Sequence, residues 1–300
     1  MHTILYNLSG KFLSTNTRAK AKFYIHKIRI RNRTLLKYIY GTVNDEELFR
    51  HIEPKIGKDA DILFIHSSFN NMIPNYVGKV GVFIEKIISY CEKNCITLAM
   101  PTFYFGKTNS ESGEYFRDHV FNVNRTVSKM GILTEIFRRK EGVKRSIHPT
   151  HSVCAYGPLA DKLTATHHLG DTACGEGTPF GEMTKYKTII LGIGIRSFRA
   201  LTQVHSAEDL MKSDFPFTFN YSEVIPVTCL DKDKNTITYH LTIKKIDYRR
   251  DARMLHTILG KEKLKEWKYK GMPFFLTQAK LVTDALIDAA KKGQTIYKRI

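Results

Sequence analysis

The chain has 300 residues, 42% of them hydrophobic and 25% charged, so it can bury a sizeable core without a disulfide scaffold or structural metal. That composition excludes wholesale disorder and collagen-like architecture, and no internal period of roughly 20–50 residues marks a repeat array. Lys and Arg number 47 against 29 acids, a net charge of +18 that biases partners toward anions: nucleotides, phosphates, nucleic acid or an acidic membrane.

The charge is uneven. Residues 1–44 hold nine Lys/Arg and no acid, so half of the net charge sits in a basic N-terminal extension. The stretch from Lys22 to Tyr40 mixes Ile28, Ile30, Leu35 and Ile39 with Arg29, Arg31, Arg33 and Lys37. Part of it alternates with period two and part fits a helix. Two readings stand: a solvated helix packed on the body, or a basic amphipathic segment in peripheral contact with an anionic membrane. The longest apolar runs, such as Thr188 to Ile193, are far short of a membrane span. No apolar leader segment opens the chain, which points to a cytoplasmic protein with possible membrane association.

The body is expected over residues 45–300. "NDEELFRHI" reads as a helix start with acids in its first turn. "DILFIHSSF" is a short apolar strand running into a His-Ser-Ser turn. "VGVFIEKIISYC" is an amphipathic helix and "CITLAMPTF" a buried strand, so this region forms a βαβ-like unit. "MGILTEIFRRK" is another helix, and "HSVCAYG" and "TIILGIG" are strands stopped by glycine. The strands "SEVIPVTCL" and "NTITYHLTI" flank the turn-rich "DKDKN" and predict a hairpin. Helices are expected at "DARMLHTIL" and "AKLVTDALIDAAKK". The fold class is α/β, a mixed central sheet flanked by helices, with an α+β C-terminal part.

Catalytic groups tend to sit on loops at strand ends. Here those ends carry His66-Ser67-Ser68, Thr102, "RSIHPTHS", "CGEGTP" and "TQVHSAED". No Gly-x-Ser-x-Gly elbow surrounds a serine. His148 and His151 are three apart across a proline with no Glu between them, so zinc-protease spacing is absent and no metal is expected. "GEGTP" is too short for a phosphate loop. His205 and Glu208 are three apart, which at the start of a helix puts both on one face. The five cysteines read as reduced thiols, with Cys154 and Cys174 in the core.

Taken in order, "DILFIHSSFNNM", "TLAMPTF", "RTVSKMGILTEIFRR", "VKRSIHPTHSVCAYGPLA", "ACGEGTPFGEM" and "TIILGIGIRSFRALTQVHSAED" resemble the aminoglycoside 3-N-acetyltransferase family, over roughly residues 45–290. The resemblance implies an N-acetyltransferase that takes acetyl from acetyl-CoA to the amine of an amino sugar, by direct attack in a ternary complex. It makes His205, in the Thr-x-x-His-x-x-Glu motif, the catalytic base. Glu208 is the near candidate for the partnering acid and Asp247 a further one. It also implies that Ser67, Ser68, Ser146 and Ser152 line the CoA channel and that Arg125, Lys129 and Arg145 meet its phosphates. A neutral imidazole titrates in the range that suits proton removal from an amine.

Aminoglycosides are polycations, and a chain at +18 repels them. The acids Glu111, Glu114, Asp118, Asp209 and Asp214 offer only a small acidic pocket. The charge therefore favours an anionic acceptor, a nucleotide- or lipid-linked amino sugar of surface polysaccharide synthesis, over an antibiotic. A nucleic-acid-binding role has the charge in its favour but no helix-turn-helix, RNP or zinc-finger motif, so no specific nucleic acid is expected.

Overall fold

A computed structural model of the chain describes residues 24, 27–106, 113–245 and 247–300. Glu111 and most of the first 26 residues lie outside them. The extension ends in helix α1 (Arg33–Tyr40), and α2 (Asp45–Ile56) follows with a capping box in which Asn44 accepts from the Glu47 amide. The two parts are joined without a gap: Val43 is fully buried and bridges to Tyr76.

Strands β1 (Ile62–Ser67), β2 (Thr97–Pro101), β5 (Val153–Tyr156) and β6 (Thr188–Ile193) form the centre of a seven-stranded sheet. Its order is β10–β11–β6–β1–β2–β5–β4, with β4 (Lys144–Arg145) at one edge and the hairpin β10 (Lys265–Tyr269) and β11 (Met272–Gln278) at the other. β6, β1 and β2 are mutually parallel, while β11 and β5 flank them antiparallel. A mixed sheet of this kind needs apolar cover on both faces, which is why β1 and β6 are apolar without alternation.

Leu63 and Ile65 face one layer, built on α2, α3 (Val80–Lys93) and α4 (Ile132–Arg138) through Leu48, Ile52, Phe83, Ile87 and Phe137. Ile62 and Phe64 face the other, which holds α5 (Ala160–Thr164), α6 (Pro179–Met183), α8 (His205–Met211), α9 (Ala252–Lys263) and α10 (Ala279–Lys291) through Leu163, Phe180, Ala207, Leu255 and Val282. Each large side chain sealed here contributes about 1.5–3 kcal/mol. At Gly192 on β6 the Phe275 ring lies where a Cβ would be, 2.0 Å from its position, so only glycine lets β11 close on β6.

The C-terminal third divides. The expected hairpin is β7 (Tyr221–Leu230) with β8 (Thr236–Lys244), and it forms a separate three-stranded sheet with β3 (Phe121–Asn122). It buries Ile225, Val227, Tyr239, Leu241 and Ile243 on one face. β10 and β11, by contrast, return to the main sheet. A short pair, β9 (Tyr248–Arg250) and β12 (Tyr297–Arg299), ends the chain beside α8. Among the described residues no helix is long and apolar enough to cross a membrane.

Candidate active site

After β6 the chain makes a short helix, α7 (Ser197–Ala200), and a tight turn through Thr202 before α8 begins at His205. The turn is held from inside. The buried Gln203 amide bonds to the Phe180 carbonyl (3.1 Å) and to Thr283 Oγ1 (3.0 Å). The "CGEGTP" segment braces the same helix, since the Cys174 amide donates to Asp209 Oδ2 at 2.8 Å. Gly181 of α6 presses so close to Gly175 that a Cβ would meet its carbonyl oxygen at 2.2 Å. The Gly-rich motif is therefore a brace for α8.

His205 and Glu208 share one face of α8, with Nδ1 3.2 Å from Oε1. The His205 side chain keeps 26% exposure while Glu208 keeps 3%, so the carboxylate lies behind the ring and the ring faces outward. A carboxylate accepts, so it selects the tautomer with the proton on Nδ1 and leaves Nε2 as an acceptor. Two residues from distant segments complete the cluster. The Tyr297 hydroxyl lies 2.9 Å from Nδ1, and Lys244 Nζ lies 2.9 Å from Glu208 Oε1. Lys244 also sits over the Phe219 ring at 4.3 Å, and Phe215, Phe217 and Phe219 pack around Tyr297. Burial alone would raise the Glu208 carboxyl; His205, Lys244 and Tyr297 overcome it and hold the group down to about 2. Glu208 is thus an anion at neutral pH. Burial would likewise lower the Lys244 ammonium, yet Glu208 and Asp209 raise it above its ordinary value. Glu208 Oε2 is buried with no hydrogen bond.

Asp247 is the wrong acid for this imidazole. One oxygen of its carboxylate, Oδ2, accepts from Asn220 and from Arg299 at 2.9 Å, at the mouth of the β9–β12 pair, while Oδ1 is buried without a partner. Glu208 holds the position instead.

The residues expected along the CoA channel fall into separate places. Arg145, Ser146 and Ser152 are interior. The Arg145 guanidinium donates to Ser152 Oγ (3.0 Å) and to the carbonyls of Thr102 (2.8 Å), Val123 (3.2 Å) and Thr126. Burial pulls it down to about 10, still a cation at neutral pH. Its donors are spent inside the protein, so it does not reach a phosphate. Ser146 Oγ pairs with His167 Nδ1 at 2.8 Å and accepts from the Val153 amide. Ser152 joins Arg145 to Thr102. Arg145, Ser146 and Ser152 are therefore scaffold and not CoA ligands as expected: their hydrogen bonds tie β4 and β5 to the loop after β2. Ser67 differs, because its Oγ is buried and unpaired at the C-terminal end of β1. His66 Nε2 is also unpaired, but neighbours on a strand point to opposite faces, so the two do not form one site. Ser68 is half-buried beyond the strand, and Arg125 and Lys129 are exposed on the way from β3 to α4. Lys129 Nζ lies over the Tyr104 ring at 4.8 Å.

His151, in the "HPTH" segment, packs on Phe103 and Phe105. Burial, then the charges of His205 and Lys244, push its imidazole down to about 3, so it is neutral at pH 7. Burial raises the thiols of Cys154 (to about 11) and Cys174, so neither supplies a thiolate. Among the described residues no cluster of metal-binding side chains occurs.

Sequence reasoning missed Lys244, Tyr297 and the three phenylalanines. Tyr297 stands 92 residues from His205 and Lys244 36 from Glu208, distances at which spacing carries no information. The alternating "FPFTF" run was the one visible hint of an aromatic wall.

The sequence profile of the aminoglycoside 3-N-acetyltransferase family matches residues 64–291. An aminoglycoside N(3)-acetyltransferase III from a Salmonella species is 33% identical over 119 residues, covering 37% of this chain and 41% of that protein. An aminoglycoside N(3')-acetyltransferase-like protein, YokD, from Bacillus subtilis is 34% identical over 87 residues, covering 29% and 31%. The aligned stretch thus spans less than half the length of these curated relatives. Among solved structures, aminoglycoside acetyltransferase AAC(3)-Xa has a TM-score of 0.69 at 17% identity, covering 88% of this chain and 99% of that one. The binary complex of AAC-IIIb with CoASH has a TM-score of 0.63 at 18% identity, covering 85% and 98%. The profile match spans most of the chain, and the chain belongs to the aminoglycoside 3-N-acetyltransferase family.

Proposed function

We propose that the protein is an acetyl-CoA-dependent N-acetyltransferase whose acceptor is an amine of an aminoglycoside. The observation that carries the reading is the His205–Glu208 pair: an imidazole anchored through Nδ1 by a buried anion, with Nε2 turned outward. In this mechanism Nε2 takes a proton from the acceptor amine. The amine nitrogen attacks the thioester carbonyl carbon, the N–C bond forms and the C–S bond breaks. The departing sulfur takes the proton back from the imidazolium, giving the amide and CoA thiol. Glu208 steadies the imidazolium while it lasts. No thiolate is called upon, in keeping with the raised cysteine thiols. Ser67 Oγ, buried and unpaired, is the best-placed member of the expected CoA set to bond the pantetheine arm.

The relatives are named for aminoglycosides, and they lend no support to an anionic polysaccharide precursor as acceptor. The charge argument for that precursor also weakens in three dimensions. Half of the +18 belongs to residues 1–44, while Glu208 and Asp209 stand at the site itself. Acetyl-CoA consumption against a panel of aminoglycosides and nucleotide-linked amino sugars tests the reading. Faster turnover with aminoglycosides is expected, and faster turnover with the nucleotide-linked sugars overturns the acceptor assignment.

A further inference from the structure

We infer that the helical segment of residues 27–40 is a peripheral docking surface for an anionic lipid membrane. Leu35 and Ile39 stand one turn apart on α1 and form an apolar stripe, and Ile28 lies in the helical residues 27–31 that precede the turn at Asn32. They are 59%, 55% and 57% exposed, with Tyr38 beside them at 88%, and α1 contains no buried residue at all. An amphipathic helix on a globular body ordinarily turns its apolar stripe inward. This one is fastened by a different side. Leu36 and Tyr40 follow Leu35 and Ile39 one residue on, about 100° around the axis of α1, and Arg29 stands likewise one residue after Ile28. Arg29 Nη2 donates to the Asn71 carbonyl at 2.9 Å, Asn75 Nδ2 donates to the Leu36 carbonyl at 3.1 Å, and the Tyr40 ring lies against Gly271. Asn75 Nδ2 also reaches the Gly41 carbonyl at 2.8 Å, locking the helix end. The helix is therefore held in a fixed attitude with its apolar stripe in water.

The charge selects the occupant. Residues 1–44 carry nine Lys/Arg and no acid. Among the described residues no ion pair engages Arg31, Arg33 or Lys37. A second copy of this chain would bring two such basic surfaces face to face, which is penalised. Nucleic acid would satisfy the charges and leave the isoleucines and leucine in water. A membrane leaflet with anionic headgroups satisfies both, since the stripe enters the headgroup boundary while the flanking cations meet phosphate. This inference does not depend on the acceptor.

Co-sedimentation of the full chain with phosphatidylcholine vesicles, with and without phosphatidylglycerol, tests it. Binding is expected only with the anionic lipid and is expected to fall as salt rises. The I28S/L35S/I39S variant, which alters exposed side chains only, should lose about tenfold or more in partitioning. R31Q/R33Q/K37Q should lose about ten- to a hundredfold. Both should keep the parent circular dichroism and melting temperature. Absence of vesicle binding, equal binding to neutral vesicles, or unchanged binding by the serine variant overturns the inference. So does a concentration-dependent dimer, or retention of DNA, that the serine variant abolishes while the parent ignores vesicles.

Discussion

Two groups of histidines lie within one stretch of this molecule and have been treated differently by the fold. At His148 and His167 every ring nitrogen is occupied. His148 Nδ1 accepts from the Thr150 and His151 amides and Nε2 meets the Tyr239 hydroxyl at 3.0 Å. His167 is held by Ser146 at Nδ1 and by the Ala173 carbonyl, 3.0 Å away, at Nε2. Both rings are buried. At His205 one nitrogen is anchored and the other is left outward, with an anion behind it. Full satisfaction makes an imidazole into scaffold; a ring with one nitrogen anchored and part of its surface exposed stays available to a substrate. The same contrast separates Arg145, whose donors are spent, from Ser67, whose hydroxyl is not.

The sharpest way to break that contrast is to remove the outward ring. His205→Ala is expected to lose about 10²–10⁴-fold in kcat/KM for acetyl transfer while melting like the parent. A variant with parent turnover would put the reaction elsewhere. On the scaffold side, Arg145→Ala takes the guanidinium donors from the Val123 and Thr126 carbonyls and opens a cavity. A loss of roughly 2–5 kcal/mol in denaturant unfolding is expected, with the KM for acetyl-CoA unchanged. A raised KM with unaltered stability would return Arg145 to the CoA site.

The buried rings also predict an acid-sensitive fold. Burial pushes His66 and His167 down to about 3, and His148 well below its usual range. In the unfolded chain these rings bind protons near pH 6.5. The unfolded state therefore takes up protons first as pH falls, so stability is complete above 6.5 and drains away toward 3. Each ring contributes a slope of about 1.4 kcal/mol per pH unit. Glu208, held at about 2, adds to the loss only below its ordinary carboxylate range near 4.5. Melting temperatures between pH 8 and pH 5 measure this, and a flat profile would show the rings to be hydrated. The smallest effects come from the charges behind His205. Glu208→Gln removes the counter-charge of the imidazolium and should move the acid limb of kcat/KM to lower pH by about one unit. Lys244→Met removes an opposing cation and should move it upward by less. Shifts in the same direction for both would mean that Lys244 and Glu208 do not act on the ring through charge.

Much of the architecture was legible along the chain. The apolar strands, the βαβ unit and the "DKDKN" hairpin are local patterns of period and turn chemistry, and they appear as β1–α3–β2 and β7–β8. The Thr-x-x-His-x-x-Glu motif was equally local, because three residues along a helix is one face, and it delivered His205 with Glu208. The β10–β11 return to the sheet edge was not read from the sequence, because the pairing of β11 with β6 joins residues some eighty positions apart.

What the amino-acid sequence determined alone was therefore whatever depends on neighbours a few residues apart: helix faces, strand runs, turns and the motif that pairs base with acid. Which polar side chains would be spent and which left open was decided by tertiary structure. Satisfaction of Arg145 and Ser146, the pairing of Asp247 with Arg299, the arrival of Lys244 and Tyr297 behind the imidazole, and the outward stripe of α1 all depend on contacts between distant segments. Hydrogen bonds and charge act through space, and their reach along the chain is set only when the sheet has closed.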